Sequence, residues 1–286
     1  MKNTIMKFQR SVFLLLLACV LAFGFKQEKQ KSDWTSLFNG KDFTGWDKYI
    51  GPDLDSTGKM ITDKPIGLNN DPRHVFSVIK ENDENIIRIS GESWGGISTK
   101  KEYENYHFQL QFKWGNLTWG QKKNKKKDSG LLYHAVGRHG ADYGAWMRSQ
   151  EFQIEEGNSG EYWGVAGGME DIPAIMKDSD YVYNAAGKMY TFSATSPQGR
   201  HCRKAIDAEK PSGEWNMLDL YCHGDTSVHV INGKVMMVLY NSRQMENGQT
   251  MPLIKGKLQI QSEGAEVFYK EIKIRPLAKL PSQFLH

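Results

Sequence analysis

The sequence predicts an all-β protein, a sandwich or barrel of short strands, and three observations carry that expectation. Tyr106, Phe108, Leu110 and Phe112 alternate with His107, Gln109, Gln111 and Lys113, the two-residue period of a strand with one buried face. Asn232-Gly233, the favoured dipeptide of a tight hairpin, sits between the apolar runs "SVHVI" and "KVMMVLY". Few stretches sustain a helical period; "EDIPAIMKD" (residues 170–178) forms at most a short helix.

The amino terminus reads as an address. Lys2, Lys7 and Arg10 precede the apolar stretch "SVFLLLLACVLAFGF", too short and too early for a spanning helix. Residues 1–24 are expected to be an export signal, with a lipoprotein-type signal ending at Cys19 as the alternative. Such an anchor would be the chain's one tie to a membrane. The protein is therefore expected outside the cytoplasm, periplasmic or surface-associated. Polar residues 25–33 form a tether, and residues 34–286 one domain. Past the signal only Cys202 and Cys222 remain, and the sequence leaves open whether they pair or stay as buried thiols.

Beyond residue 33 the elements follow in order. "HVFSVIKENDENIIRISGE" is two alternating runs joined by a turn-like "ENDEN". Further strands are expected in "SGLLYHAVG", "EFQIEE", "MYTFSAT", "WNMLDLYCHG", "GKLQIQSEG" and "EVFYKEIKIRP". Many short strands with Gly-rich turns and no internal repeat favour one sandwich or barrel.

Several function classes lack their signatures. The net charge is +4, but "QKKNKKKD" (residues 121–128) supplies five lysines alone, so no spread basic face marks a nucleic-acid binder. That run is expected to be a solvated loop. No Gly-x-Ser-x-Gly elbow appears, and the Gly-rich "GVAGGMED" lacks the Lys and Ser/Thr of a phosphate loop. Eight Trp among 12% aromatics leave a surplus suited to stacking on sugars.

One stretch raises a sharper question. In "SQEFQIEEG" the residues Glu151, Gln153 and Glu155 share one strand face, while Phe152 and Ile154 share the other. A solvated outer face and a catalytic cleft both fit that pattern. Alternate side chains stand about 7 Å apart, so Glu151 and Glu155 would be about 13–14 Å apart along the backbone. The paired carboxyls of glycosidases need about 5–9.5 Å.

Six segments in order resemble the 3-keto-disaccharide hydrolase domain family: "LFNGKDFTGW", "GGISTKKEYENYHFQLQFKWG", "DSGLLYHAVG", "QEFQIEEG", "GEWNMLDLYCHGDTSVHVINGK" and "GKLQIQSEGAEVFYKEIKIRPL". The resemblance covers residues 34–277. It implies a concanavalin A-like jelly roll of two antiparallel sheets, similar to family 16 glycoside hydrolases. "EFQIE" resembles the Glu-Asp-Glu row of those hydrolases with Gln153 at the centre, which puts ordinary double displacement in doubt. Asp128 and His134 stand where the family commonly has Asn and Arg. The segment "GRHGADYGAWMRS" is longer and more aromatic than the family pattern, as a distinctive pocket wall would be.

The resemblance implies an oligosaccharide or glycoside substrate oxidised at C3. The ketone acidifies the C2 proton, so one base and one donor near the keto oxygen suffice to expel the C1 substituent. Glu151 and His134 are the expected catalytic groups, with Glu155 as partner in the conventional alternative. Gln153, Asp128, His139, Trp146, Arg148, Tyr162 and Trp163 are expected to bind substrate. No redox cofactor site is legible, so a separate sugar-oxidising enzyme would act upstream. The sequence fixes no cofactor, although His134, His139, Asp142, Glu151 and Glu155 offer enough donors for a divalent metal ion. The alternatives are a family 16-like hydrolase using Glu151 and Glu155, and a non-catalytic carbohydrate-binding module.

Overall fold

The computed structural model describes residues 33–284; the expected export signal, Cys19 and nearly all of the expected tether lie outside the described residues. Two antiparallel sheets form a β-sandwich. The eight-stranded sheet runs in the order His201–Cys202, Tyr162–Val165, Arg148–Glu155, Asp128–Val136, Lys257–Ser262, Gly95–Thr99, Trp46–Leu54, Met60–Leu68. The twelve-stranded sheet is built around Gly168–Lys177, Lys234–Glu246, Thr226–Ile231, Asn216–His223, Tyr106–Thr118, Ala265–Pro276 and Glu84–Ile89, neighbours in that order.

Alternation decides which side chains meet between the sheets. Leu131 and Tyr133, Phe152 and Ile154, Leu258 and Ile260 point inward from the eight-stranded sheet. Phe108, Leu110 and Phe112 meet them from the other sheet, with Leu218, Leu220, Val267 and Tyr269. Truncating a buried aromatic such as Phe152 to Ala would cost about 3–5 kcal/mol.

The hairpins form where the turn chemistry allows. Asn232 and Gly233 both take left-handed φ (49° and 74°), as a two-residue turn between twisted strands requires. Asn82 and Asp83 do the same in "ENDEN", joining Phe76–Glu81 to Glu84–Ile89.

The segment at residues 170–178, which by sequence allows at most a short helix, instead lies up to Lys177 in the strand Gly168–Lys177. Ile172 and Ala174 point into a satellite core with Tyr162, Phe192 and Leu239, and strands flank the segment on both sides. Pairing outweighs the local preference there. Cys202 and Cys222 are free buried thiols, the first in that satellite cluster and the second in the main core.

Polar groups also bridge the sheets. The Tyr133 hydroxyl donates to Glu170 at 3.0 Å and lies 2.9 Å from Ser227 Oγ and 3.2 Å from His229 Nε2. Glu170 is fully buried, and burial pushes its carboxyl up to about 8 from 4.5. The folded chain therefore holds this proton after the unfolded chain has released it. Its contribution to stability is complete below about pH 4.5 and is lost as pH rises through about 8. Denaturant unfolding across that window should show stability falling with pH, and Glu170→Gln should flatten part of the fall.

Candidate active site

The site grows from the face opposite the core. Glu155, Gln153 and Glu151 pair across the ladder with Asp128, Gly130 and Leu132, and Glu151 also pairs with Trp163 on its other side. On the neighbouring strand Ile260 pairs with Leu131, which sets Gln261 and Glu263 on the same outward face. These residues floor a cleft of about 510 Å³, walled by Trp94, Tyr143, Trp146, Trp163, Met60 and Arg200. The acidic row thus faces a hollow, and Glu151 is only 6% exposed.

Gly130 lies at the centre of this floor. A methyl group placed on it would come within 2.3 Å of both Glu151 Oε1 and Gln261 Oε1, so glycine is what lets those side chains cross over it. Asp128 Oδ1 and Gln261 Oε1 are buried and find no hydrogen-bond partner among the described residues. Buried acceptors seldom stay empty, and both suit a ligand's hydroxyl groups.

Burial and crowding set the charges. Burial pushes Glu151 well above the carboxylate range; the Asp128 carboxylate adds to this, while Arg200 and a hydrogen bond from Gln261 oppose it. Burial raises Asp128 to about 7 against the pull of the Lys122 ammonium. Glu263 is pushed up by burial, then by Asp128 and Glu151. Lys122 pairs with Asp128 and lies 3.0 Å from Glu155, whose other oxygen accepts from Asn158. Glu155 is therefore tied down at the cleft's edge.

The second cation is better placed for a ligand. Arg200 donates to Asp142 at 2.8 Å, and its guanidinium lies 5.6 Å from the Trp163 ring and 5.8 Å from the Tyr143 ring. Trp163 is held from behind by His201, stacked at 4.2 Å and bonded to Glu161. Across the cleft Trp94 stacks on Trp146 at 5.3 Å, and Trp146 donates to the Gly95 carbonyl. The wall segment "GRHGADYGAWMRS" closes on itself through Asp142 and Trp146 and rests on Gly51, where a methyl group would meet Gly144 O at 2.8 Å.

Of the residues expected from sequence, the structure gathers Glu151, Gln153, Glu155, Asp128, Trp146 and Trp163 at the cleft. Four lie elsewhere. His134 sits at a register break with φ 51°, its Nδ1 2.9 Å from the Leu253 carbonyl and its ring against Tyr106 and Tyr133. Burial lowers it to about 4, so it is neutral near pH 7. His139 stacks on Tyr49 at 5.0 Å. Arg148 donates to the Ala166 carbonyl and to Gln244 and Glu246. Tyr162 has the opposite parity to Trp163, so it points into the core and donates to Gln150. His134 and His139 lie away from the cleft carboxyls, so the donor set His134, His139, Asp142, Glu151 and Glu155 does not converge. Among the described residues no group of three or more His, Cys, Asp or Glu is placed to hold a metal ion.

Sequence reasoning missed Lys122, Arg200, Gln261, Glu263, Trp94 and Tyr143. Gln259, Gln261 and Glu263 alternate with Leu258 and Ile260, a signal parallel to the one in "EFQIE". Lys122 belongs to the run expected to be solvated; the acidic row draws it inward instead. Arg200 comes from an irregular segment and carried no such signal.

The β-sandwich carries an aromatic-walled, carboxyl-floored cleft, and its family makes it a carbohydrate-acting protein. The chain belongs to the family of the 3-keto-alpha-glucoside-1,2-lyase-like domain, whose model matches residues 33–275. Among solved structures it is similar to two Parabacteroides distasonis proteins, each named as a proposed glycosyl hydrolase. One is 20% identical over 85% of this chain and 94% of its own, with TM-score 0.45; the other is 18% identical over 85% and 99%, with TM-score 0.46. Domain 4 of the arabinanase AbnA from Geobacillus stearothermophilus, solved with arabinotriose, is 14% identical over 88% and 94%, with TM-score 0.38. No curated protein matches the chain.

The ion pairs at the floor are open to a direct check. Lys122→Met removes the cation that lowers Asp128, so the Asp128 carboxyl should titrate above its present value of about 7. Carbon-13 NMR titration of the side-chain carboxyls would read the change.

Proposed function

We propose that the protein is an exported enzyme that cleaves 3-keto-glycosides by removing the C2 proton and expelling the C1 substituent. One observation carries the reading: of the buried carboxyls on the floor of the cleft, Glu151 is the one whose charge an arginine, Arg200, favours. A raised carboxyl is a stronger base than an ordinary one once ionised, and elimination next to a ketone needs only one. Glu151 takes the C2 proton, and the bond's electrons move onto the C3 oxygen as an enolate. The Arg200 guanidinium meets that charge. The enolate then re-forms the ketone, giving an enone, as the C1–oxygen bond breaks. Asp128, near its midpoint at neutral pH, supplies the proton the leaving oxygen takes up. Water added to the enone completes net hydrolysis.

The conventional hydrolase reading is less well supported. Glu155 is bound by Lys122 and Asn158, and its place four residues from Glu151 keeps the backbones about 13 Å apart. The binding-module reading leaves the desolvation of Glu151 without a use. The substrate's ketone must come from a separate enzyme that oxidises sugars at C3, and the amino-terminal pattern fits action outside the cytoplasm.

Incubating methyl 3-keto-α-glucoside with the protein in heavy water tests the chemistry. Deuterium at C2 of product or recovered substrate, with no cleavage of the unoxidised glucoside, is the expected result. Cleavage of the parent glucoside without C2 label would replace this reading with the conventional one. Glu151→Gln should abolish turnover. Arg200→Ala should lower kcat by about 10²–10³-fold, the usual effect of losing one oxyanion donor. For the wild type, kcat/KM should rise with pH along a limb lying above the ordinary carboxylate range. Arg200→Ala should move that limb higher, because the guanidinium now favours the ionised Glu151.

A further inference from the structure

A second depression of about 530 Å³ adjoins the acidic cleft, and Gly58 and Trp94 line both. Trp119 stands in it with 38% of its surface exposed. Its indole Nε1 donates to the Ser90 carbonyl at 2.9 Å and its backbone N–H to the Gly264 carbonyl at 2.7 Å, so the ring's pose is fixed. An exposed indole held this way keeps a flat apolar face available at little entropic cost.

The ridge between the two hollows is built to be thin. Gly58 and Gly120 meet there with φ of 84° and 50°. A methyl group on Gly120 would come within 2.9 Å of Gly58 Cα, and one on Gly58 within 2.7 Å of Gln121 N. The same turn joins the hollows chemically, since the Lys122 N–H donates to the Trp119 carbonyl at 2.9 Å while Lys122 Nζ holds Asp128 and Glu155. Around the second hollow the rim carries both signs of charge, Arg73 and Lys123 with Glu92. A charged ligand would meet a like charge there, whereas hydroxyl groups both donate and accept and suit such a mixed rim.

We propose that the second depression is a subsite for the leaving sugar of a disaccharide, its ring stacked on Trp119 while the 3-keto ring occupies the acidic cleft. The inference rests on the cleft being the place of cleavage. It makes Trp119 a determinant of which leaving group is preferred, with no part in proton transfer.

The test compares two substrates, methyl 3-keto-α-glucoside and a 3-keto-α-glucosyl-glucose disaccharide. Trp119→Ala should lower kcat/KM for the disaccharide by roughly 3- to 10-fold and change the methyl glycoside far less, which also shows that the variant is folded. Trp119→Phe, which keeps a ring, should recover most of the loss. Equal losses on both substrates, or none on either, would overturn the subsite. Calorimetric titration of the disaccharide into Glu151→Gln protein, with and without Trp119→Ala, separates this inference from the chemistry. Weaker binding in the double variant supports the subsite even where no turnover is found, and unchanged binding removes it even where the cleft is catalytic.

Discussion

The desolvation of Glu151 is the constraint on which the rest of the site depends. Its strand has a two-residue period, so the residues that seal the core, Phe152 and Ile154, fix the orientation of the carboxyl between them. The sandwich core and the acidic floor are two faces of one strand. Moving Glu151 out of the cleft would require a register slip that carried Phe152 to the surface, and the core forbids it. The cost of holding a carboxyl there is offset by packing on the reverse side.

That floor would be untenable if every acid were ionised and unpaired. Asp128, Glu151, Glu155 and Glu263 share the cleft with Lys122 and Arg200. The balance is uneven in a useful way. Lys122 is committed to Asp128 and Glu155, while Arg200 leans on Asp142 and two aromatic rings, and its field reaches Glu151. One cation settles the structure of the floor, and the other is the one the proposed chemistry uses.

Much of the fold was legible because β structure writes its period directly into the sequence. The runs around Tyr106–Phe112 and Asn232-Gly233 gave strands and a turn where they occur. The segment at residues 170–178 did not, because its strand is imposed by neighbours on both sides. The site was partly legible for the same reason. Glu151, Gln153 and Glu155 alternate, and so do Gln261 and Glu263, whose signal went unread. His134 shows where the rule breaks: a bulge with left-handed backbone removes it from the parity its neighbours obey. Arg200 and Lys122 reach the cleft from turns and irregular chain, where no periodicity announces a direction.

The two free thiols carry a consequence of their own. Cys202 and Cys222 lie in separate apolar clusters, and burial raises both far above their ordinary titration range. Neither is a nucleophile while the sandwich is closed. The described domain thus holds together without oxidative cross-linking, and its integrity is indifferent to the redox poise of its surroundings. Alkylating reagents would reach these sulfur atoms only as the sheets part, which makes the pair a built-in gauge of how often the sandwich opens.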